Sequence, residues 1–307
     1  MKFVKPKYLE NFNFISLILY PLSLVTFLIN ILKKFTYRKS YKIKTICIGN
    51  IYVGGTGKTP LVIFTNNILK KNNKTVIVKK KYEDQIDEQK ILKNNGNLIC
   101  NLKRHNAIKI AQNKGYDIAI LDDGLQDKKN RYDISIACFN SSSLIGNGFL
   151  IPAGPLRENI NELKNYDAIF LNGEKADSDF IKKIKNINTK INIFTGKYIA
   201  KNLKDIDLKK KYFLFSGLGN PDEFERTCKN NKIKIYKKKI FPDHYNYSKS
   251  DIEKLKNMAK MNNLKLITSE KDYLRLSRFD KKNINFLKIE LKVLEKQKYL
   301  KFLMERI

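Results

Sequence analysis

The stretch IKTICIGNIYVGGTGKTP, residues 43–60, decides the fold class of this 307-residue chain. It begins with a short apolar run typical of a buried strand, continues into a glycine-rich turn that ends Gly57-Lys58-Thr59, and leads into a helix-like segment, 60–71. Glycines let successive backbone N–H groups turn inward around a phosphate without Cβ clashes. A strand, a glycine-rich turn and a helix in this order therefore predict a phosphate-binding loop.

The inner part of this loop carries the predicted nucleotide contacts, which are Gly54, Gly55, Thr56, Gly57, Lys58 and Thr59. In a loop of this kind the lysine reaches the β- and γ-phosphate oxygens, and the hydroxyl that follows it ligates Mg²⁺. The strict form of the motif has a glycine where this chain has Tyr52. The predicted cofactors are therefore a nucleotide and Mg²⁺, held by a variant of the loop.

Short apolar runs alternate with helix-like stretches after the loop. Further buried strands are predicted at 74–78, 97–100, 117–121, 133–139 and 167–171. The helical spacing of apolar residues predicts helices at 60–71 and 104–114. Strands that alternate with helices indicate an α/β fold, here a P-loop NTPase-like doubly wound parallel sheet.

Paired carboxylates end one of these strands, in YDIAILDDGLQ, residues 116–126. At the carboxyl edge of a sheet, Asp122 and Asp123 can hold the hydration shell of Mg²⁺ or polarise a substrate hydroxyl. Two aspartates before a glycine are also common in ordinary turns. Because a phosphate loop precedes them, we expect Asp122 to ligate the metal and Asp123 to act in catalysis.

The net charge of +31, from 61 basic and 30 acidic residues, does not point to nucleic-acid binding. Lysine accounts for 53 of the basic residues and arginine for eight, and the lysines are spread along the chain. Nucleic-acid binding favours arginine and clustering on one face. An excess of lysine, asparagine and isoleucine is what an A+T-rich coding sequence produces, so the charge favours at most attraction to anionic lipid or phosphate.

The N-terminal segment FISLILYPLSLVTFLINIL, residues 14–32, has 19 consecutive uncharged residues. As a helix it would reach ~28 Å, close to the hydrocarbon thickness of a bilayer. Pro21 interrupts it, so two short interfacial pieces are an alternative, as are a cleaved signal peptide and a buried core helix. We interpret the segment as an uncleaved membrane anchor that either spans the membrane or lies on it. The basic residues that follow favour a cytoplasmic location for the rest of the chain.

The chain divides into three predicted parts: a membrane anchor at 1–38, a nucleotide-binding α/β domain at 39–205 and a smaller C-terminal α/β domain at 206–307. Polar, basic stretches at 188–195 and 201–211 are expected to connect the two domains. The smaller domain has predicted strands at 212–216, 233–236, 265–268 and 286–289, a helix capped by Ser250 and Glu253, and an amphipathic helix at 294–307.

Seven motifs along the chain occur together in one protein family. They are GNIYVGGTGKTP (49–60), DEQKIL (87–92), DDGLQ (122–126), GNGFLIPAGPLRE (146–158), FSGLGNPDEF (215–224), FPDHYNY (241–247) and TSEKDYLRL (268–276). With these motifs the chain resembles the tetraacyldisaccharide 4′-kinases, membrane-associated kinases of a lipid A precursor. The first motif indicates only a superfamily, whereas the combination of GNGFLIPAGPLRE with DDGLQ is far more specific.

The resemblance implies transfer of the ATP γ-phosphoryl group to the 4′-hydroxyl of a tetraacylated glucosamine disaccharide 1-phosphate, with Mg²⁺ as the second cofactor. It also implies attachment to the inner membrane of a Gram-negative-type bacterium, with the catalytic domains in the cytoplasm and no obligate protein partner. The catalytic base proposed for the family corresponds to Asp87, and its histidine partner to His244. Arg157 is the candidate contact for the 1-phosphate of the substrate or for an ATP oxygen.

One motif of the family is altered in this chain. Where the family usually has S-R-G-Y-G after its second strand, this chain has Lys79-Lys80-Lys81-Tyr82-Glu83. A lysine keeps the positive charge of the arginine but loses its planar fork, so a bidentate phosphate contact is not expected there. We expect a working but divergent enzyme.

A second function fits the phosphate loop considered by itself. A membrane-tethered P-loop NTPase switch would hydrolyse ATP or GTP to regulate a protein partner. A guanine-specific N-K-x-D element would support this alternative, and none occurs in a suitable place after the strand that ends at Asp122.

Overall fold

The computed structural model describes residues 6–82, 85–173 and 177–307, so Glu83 of the altered motif and the start of the predicted anchor, 1–5, lie outside the described residues. The chain forms two compact units. The larger unit consists of residues 6–82, 92–197 and 291–307, and the smaller unit of the described residues within 83–91 and 198–290. Each unit contains its own sheet and its own buried apolar core.

The larger unit is built on a sheet of eight strands. They are β1 (Lys44–Gly49), β2 (Thr75–Lys80), β3 (Leu98–Asn101), β4 (Ile118–Asp122), β5 (Ile134–Asn140), β6 (Ala168–Asn172), β7 (Asn192–Ala200) and β12 (Ile289–Val293). Their order is β12-β7-β6-β5-β1-β4-β2-β3, and the strands from β1 to β7 pair in parallel. The predicted doubly wound parallel sheet is confirmed.

Helices accompany the strands of this sheet. They are α1 (Phe14–Lys34), α2 (Lys58–Leu69), α3 (Ile86–Asn95), α4 (Arg104–Asn113), α5 (Ser178–Ile187) and α9 (Lys296–Met304), and the first six residues of α3 belong to the smaller unit. Every residue of β4 and β5 is buried. These strands therefore read as continuous apolar runs instead of alternating ones, as expected when both faces of a parallel sheet are covered.

The sheet topology places the phosphate loop beside the aspartate pair. β1 lies between β4 and β5, and the register sets Ile48 of β1 opposite Asp122 of β4. Because the carboxyl ends of neighbouring parallel strands meet at one edge of a sheet, the loop after β1 and the carboxylates after β4 lie together.

The smaller unit is also an α/β structure, as predicted. Its strands are β8 (Lys211–Ser216), β9 (Lys234–Ile240), β10 (Lys265–Ser269) and β11 (Ile284–Leu287), in the order β11-β10-β8-β9. All neighbours in this sheet pair in parallel. The helices α6 (Pro221–Asn230), α7 (Lys249–Met261) and α8 (Glu270–Arg275) connect these strands.

One local prediction is wrong, and one stretch predicted as a connection also contains the start of a strand. The capping box of α7 is formed by Ser248 and Asp251, not by Ser250 and Glu253, because Ser248 is the last extended residue before the helix. The stretch 188–195 is also more than a connection between domains. β7 begins within it and pairs with β6, so its partly buried, polar residues continue the large sheet.

Two stretches of the chain belong to a different unit from the one that the predicted domain boundaries give them. Residues 291–307 belong to the larger unit, where Tyr299 of α9 lies edge-on to Phe194 with ring centroids 5.0 Å apart. The Tyr299 hydroxyl also makes a 2.8 Å hydrogen bond with Thr65 Oγ1. In contrast, residues 85–91, which include Asp87, belong to the smaller unit.

The apolar N-terminal segment forms one continuous helix, α1, which passes through Pro21. Proline removes one backbone hydrogen bond there, but it does not end the helix, so the alternative of two short pieces is wrong. α1 is long and apolar enough to cross a membrane, by length and composition. It is not a core helix, because its apolar side chains are exposed, by 61% for Ile18 and 68% for Leu32.

Candidate active site

The phosphate loop leaves β1 at Gly49 and enters α2 at Lys58. Gly54 and Gly57 have backbone φ angles of 123° and 84°, which glycine adopts at no steric cost. Gly57 is the N-cap residue of α2. Because glycine has no side chain to cap the helix, the first N–H groups of α2 and the positive end of its dipole are available to an anion.

Tyr52, which replaces the first glycine of the motif, has a packing role. Its side chain is buried in a small apolar cluster with Leu150 and Leu156, and its backbone pairs with Leu156 in an isolated bridge. Next to this bridge, Arg157 N donates to Ile51 O at 2.7 Å. These contacts fix the segment GNGFLIPAGPLRE against the phosphate loop and bring Arg157 to the site.

Thr59 and Asp122 lie side by side at the edge of the sheet. Thr59 Oγ1 donates to Asp122 Oδ2 at 3.3 Å. The second carboxylate oxygen, Asp122 Oδ1, is buried and accepts no hydrogen bond from the described residues. A buried acceptor without a donor is unfavourable, and a hydrated cation would satisfy it. Hydroxyl and carboxylate oxygens fit Mg²⁺, which commonly takes one or two carboxylates together with phosphate oxygens.

Asp123 lies among three basic side chains. Its Oδ2 is 3.1 Å from Arg157 Nη1 and 4.0 Å from Lys58 Nζ, and the guanidinium of Arg104 donates to its backbone carbonyl. Burial by itself raises the pKa of Asp123, but the charges of Lys58, Arg157 and Arg104 outweigh burial and lower this pKa to about 2. Asp123 is therefore an anion near neutral pH and holds Lys58 and Arg157 beside the phosphate loop.

Asp87 is the centre of a second cluster, in the smaller unit. Its side chain is 1% exposed, and its Oδ1 lies 3.4 Å from His244 Nδ1. Arg275 Nη2 donates to Asp87 Oδ2 at 2.7 Å. The other end of the guanidinium, Arg275 Nη1, donates to Asp272 Oδ1 at 2.9 Å and to Gly217 O at 2.8 Å. The structure thus brings Asp87 and His244 together and shows what holds them.

Three neighbours control the charge of Asp87. Burial raises its pKa, but the hydrogen bond with His244 and the charges of Lys271 and Arg275 outweigh burial and hold the pKa well below its usual range. Because the folded-state pKa is lower than the ordinary value of 3.8, these contacts stabilise the fold above that pH, and the stabilisation is lost as the pH falls below it. Near neutral pH, Asp87 is an anion and a weak base.

Asp123 and His244 share an unusual backbone conformation. Their φ angles are 60° and 54°, in the left-handed region that residues other than glycine adopt uncommonly. Such conformations cost of order 1 kcal/mol and cluster at functional sites. Because Leu144, Lys232, Asn263 and Asn283 also have positive φ, the conformation agrees with a site role for Asp123 and His244 but does not by itself assign one.

Sequence reasoning missed two partly buried arginines of these clusters, Arg104 and Arg275. Their side chains are only 12% and 6% exposed. The available signal was their rarity, since the chain has only eight arginines among its 61 basic residues. Lys271, in the motif TSEKDYLRL, pairs with Glu88 at 2.5 Å beside Asp87.

The fold, with its glycine-rich loop between β1 and α2, defines the class of this protein as a P-loop NTPase-like α/β protein. The sequence model of the family described as tetraacyldisaccharide-1-P 4′-kinase matches residues 15–98 and 79–307. The chain belongs to this family. The resemblance seen in the motifs is confirmed, and so is the prediction of a kinase.

Individual relatives agree with this assignment. The tetraacyldisaccharide 4′-kinase of Pelagibacter ubique (strain HTCC1062) is 48% identical over 297 residues, which cover 95% of each chain. That of Rickettsia bellii (strain OSU 85-389) is 37% identical over 295 residues, or 90% of each chain. The crystal structure of LpxK from Aquifex aeolicus in complex with ATP covers 94% of this chain and 98% of its own, with a TM-score of 0.70. Its sequence identity of 24% makes this a likeness of fold.

Proposed function

We propose that this protein transfers the γ-phosphoryl group of ATP to the 4′-hydroxyl of a tetraacylated glucosamine disaccharide 1-phosphate, which yields a lipid A precursor. The observation that carries the proposal is the placement of Thr59 and Asp122 beside a phosphate loop, in a chain that belongs to a kinase family. The two curated relatives bear the name of this activity. Family membership also favours the kinase over the NTPase switch.

The larger unit supplies the positive charge for the phosphates. Phosphoryl transfer requires mainly positioning and neutralisation of charge on the phosphoryl oxygens. Lys58 and the N–H groups of residues 54–59 bind the β- and γ-phosphates of ATP. Mg²⁺, when held by Thr59 and Asp122, supplies further charge neutralisation. Asp123 keeps Lys58 and Arg157 in place, and Arg157 contacts an oxygen of ATP or of the substrate 1-phosphate.

The smaller unit supplies the acceptor for the hydroxyl proton. Asp87 takes this proton as general base, and His244, with Nδ1 3.4 Å from its carboxylate, orients it. Arg275 positions Asp87 from the other side. The low pKa of Asp87 makes it a weak base, which is sufficient where the transition state is loose and the new bond to phosphorus is little formed.

The proposed reaction is tested with purified full-length protein, γ-labelled ATP, Mg²⁺ and a tetraacyl disaccharide 1-phosphate in detergent. We expect the label to move to the lipid, and mass spectrometry with fragmentation of the product to place the new phosphate on the 4′ position. Release of the label as inorganic phosphate at a rate independent of the lipid would favour the NTPase switch instead.

The membrane contact is proposed for α1, whose polar and apolar faces are arranged in an unusual way. The face toward the protein is polar: Ser23 Oγ donates to Leu150 O at 2.8 Å, and Asn30 Nδ2 donates to Arg157 O at 2.8 Å. Ser16, seven residues before Ser23, is fully buried on the same face. The apolar side chains point away from the protein, and an exposed apolar surface of this size favours a lipid contact.

A helix docked on the larger unit along its length presents one face to the bilayer. We therefore propose that α1 lies in the membrane interface with its apolar side buried and does not span the membrane. Lys34 at its end pairs with Glu162 at 2.5 Å, which adds to the docking. Because the reaction uses ATP, the proposed location is the cytoplasmic face of the inner membrane.

Replacing Ile18, Leu28 and Leu32 with glutamine should release the protein from membranes. These side chains are 58–68% exposed, so the changes remove apolar area from the lipid contact while the docked face of α1 stays intact. Full burial of such a side chain stabilises by about 1.5–3 kcal/mol, so the three changes should weaken vesicle binding by ~10²-fold or more. Sedimentation with anionic lipid vesicles measures this.

The matched control replaces three exposed apolar residues of the smaller unit, Tyr236, Met261 and Phe279, with glutamine. They are 62%, 85% and 89% exposed, and their replacement should leave vesicle binding unchanged. Equal binding of the α1 triple variant and the wild-type protein would contradict the interfacial role of α1.

A further inference from the structure

Lys79 of the altered family motif lies at the metal end of the candidate active site. The parallel register of β2 and β4 sets Lys79 opposite Asp122. Lys79 Nζ is 2.8 Å from Asp122 Oδ2, and the two side chains are only 4% and 0% exposed. The pair is therefore a buried ion pair, built into the sheet between two neighbouring strands.

This lysine shares its carboxylate with the magnesium site. Asp122 Oδ2 accepts hydrogen bonds from Lys79 Nζ and from Thr59 Oγ1, at 2.8 Å and 3.3 Å. Asp122 Oδ1 is the buried oxygen that accepts no hydrogen bond from the described residues. One face of the carboxylate thus already holds a positive charge, and the other remains for a hydrated metal ion.

A fixed ammonium at this position has two opposite effects on the ligands. It attracts the phosphates of a nucleotide bound in the loop, since its ammonium shares the Asp122 carboxylate with Thr59, the residue that follows the loop lysine Lys58. It repels Mg²⁺ and reduces the charge that Asp122 offers to the metal. Burial keeps both effects from being screened by solvent and salt.

We propose that Lys79 is a built-in cation that takes over part of the role of Mg²⁺ in nucleotide binding. The inference rests on the proposed binding of ATP in the phosphate loop. Lys79 strengthens nucleotide binding without metal and weakens the binding of Mg²⁺. The enhancement of nucleotide affinity by Mg²⁺ is therefore smaller in this chain than it would be with a neutral residue at position 79.

The test replaces Lys79 with glutamine, which keeps a hydrogen-bond donor for Asp122 and removes the charge. Binding of a non-hydrolysable ATP analogue is measured by calorimetry, first in EDTA and then over a series of free Mg²⁺ concentrations. We expect Lys79→Gln to weaken binding of the analogue in EDTA about tenfold. The Mg²⁺ concentration that gives half of the maximal increase in analogue affinity should also fall about tenfold. Both changes lie within the usual range of coupling between two sites. Lys79→Arg, which keeps the charge, should resemble the wild type.

The control is Lys81→Ser, which removes an exposed lysine two residues further along the chain. It makes the same change in net charge and should leave both constants unchanged. Thermal unfolding of each variant shows that binding is compared between folded proteins. If Lys79→Gln does not fold, Lys79→Met, which keeps the apolar stem, replaces it.

Two results are distinguishable. If the wild-type protein binds the analogue and the neutral variants show unchanged metal-free affinity and unchanged Mg²⁺ dependence, the role of Lys79 is refuted and the kinase proposal stands. If the wild-type protein does not bind the analogue with or without Mg²⁺, the proposed function itself fails, and the role of Lys79 fails with it.

Discussion

Lys58→Ala is expected to reduce phosphoryl transfer by roughly 10²–10³-fold, the scale of losing one preorganised group that stabilises developing charge. Lys58 opens α2 directly after the phosphate loop, and its ammonium lies 4.0 Å from Asp123. No other lysine follows the glycine-rich turn in this way, and a methyl group cannot reach or neutralise a phosphate oxygen. The initial rate of label transfer from γ-labelled ATP to the lipid substrate measures the loss.

The control for this variant is Lys70→Ala, at the other end of α2, where the lysine is exposed. It removes the same charge from the same helix and should leave the rate unchanged. If folded Lys58→Ala protein transferred the phosphoryl group at the wild-type rate with saturating nucleotide, the assignment of residues 54–59 as a phosphate loop would be wrong.

Asp87→Asn is expected to reduce kcat by ~10²–10⁴-fold, the usual contribution of a general acid or base, while nucleotide affinity stays nearly constant. Asparagine keeps the shape of the side chain and can still contact Arg275, but it cannot take up the hydroxyl proton. The structure supports this separation of effects, because Asp87 belongs to the smaller unit and the phosphate loop to the larger one. Single-turnover rates at saturating ATP and lipid measure the chemical step.

Glu88→Gln is the matched control for Asp87. The two carboxylates are adjacent in the first turn of α3, but Glu88 Oε1 lies 2.5 Å from Lys271 Nζ and 4.0 Å from His244 Nε2, whereas Arg275 pairs with Asp87. Its replacement by the isosteric amide should change kcat by no more than a few-fold. A defect of Asp87→Asn confined to KM would contradict the role of Asp87 as the base.

The sequence predicted the large sheet well because its central strands are buried on both faces and read as unbroken apolar runs. The strand β7 was missed for the opposite reason: NIFTGKYIA is only partly buried and carries polar residues that resemble a connection. The place of α9 in the larger unit depends on contacts of Tyr299 with Phe194 and Thr65, far away in the chain. Such long-range packing leaves no local pattern in the sequence.

The candidate site was also predictable only in part, because some of its contacts join residues that are far apart in the chain. Thr59 and Asp122 were predictable together because each follows a buried strand, and neighbouring parallel strands end at one edge. Arg275 was not predictable from any spacing, since it contacts Asp87 across 188 residues of chain. In the sequence, Lys79 is only one residue of an altered family motif. Its ion pair with Asp122 becomes evident only from the register of β2 and β4.

In the proposed mechanism, the loop at 54–59 holds the triphosphate of ATP, with Mg²⁺ at Thr59 and Asp122. A crystal structure of the full chain with Mg²⁺ and a non-hydrolysable ATP analogue tests it most directly. We predict the β- and γ-phosphates against the loop N–H groups and Lys58, with the metal ion ligated by Thr59 Oγ1 next to Asp122. An analogue bound elsewhere while the loop remains empty would overturn the assignment of residues 54–59 as the nucleotide site.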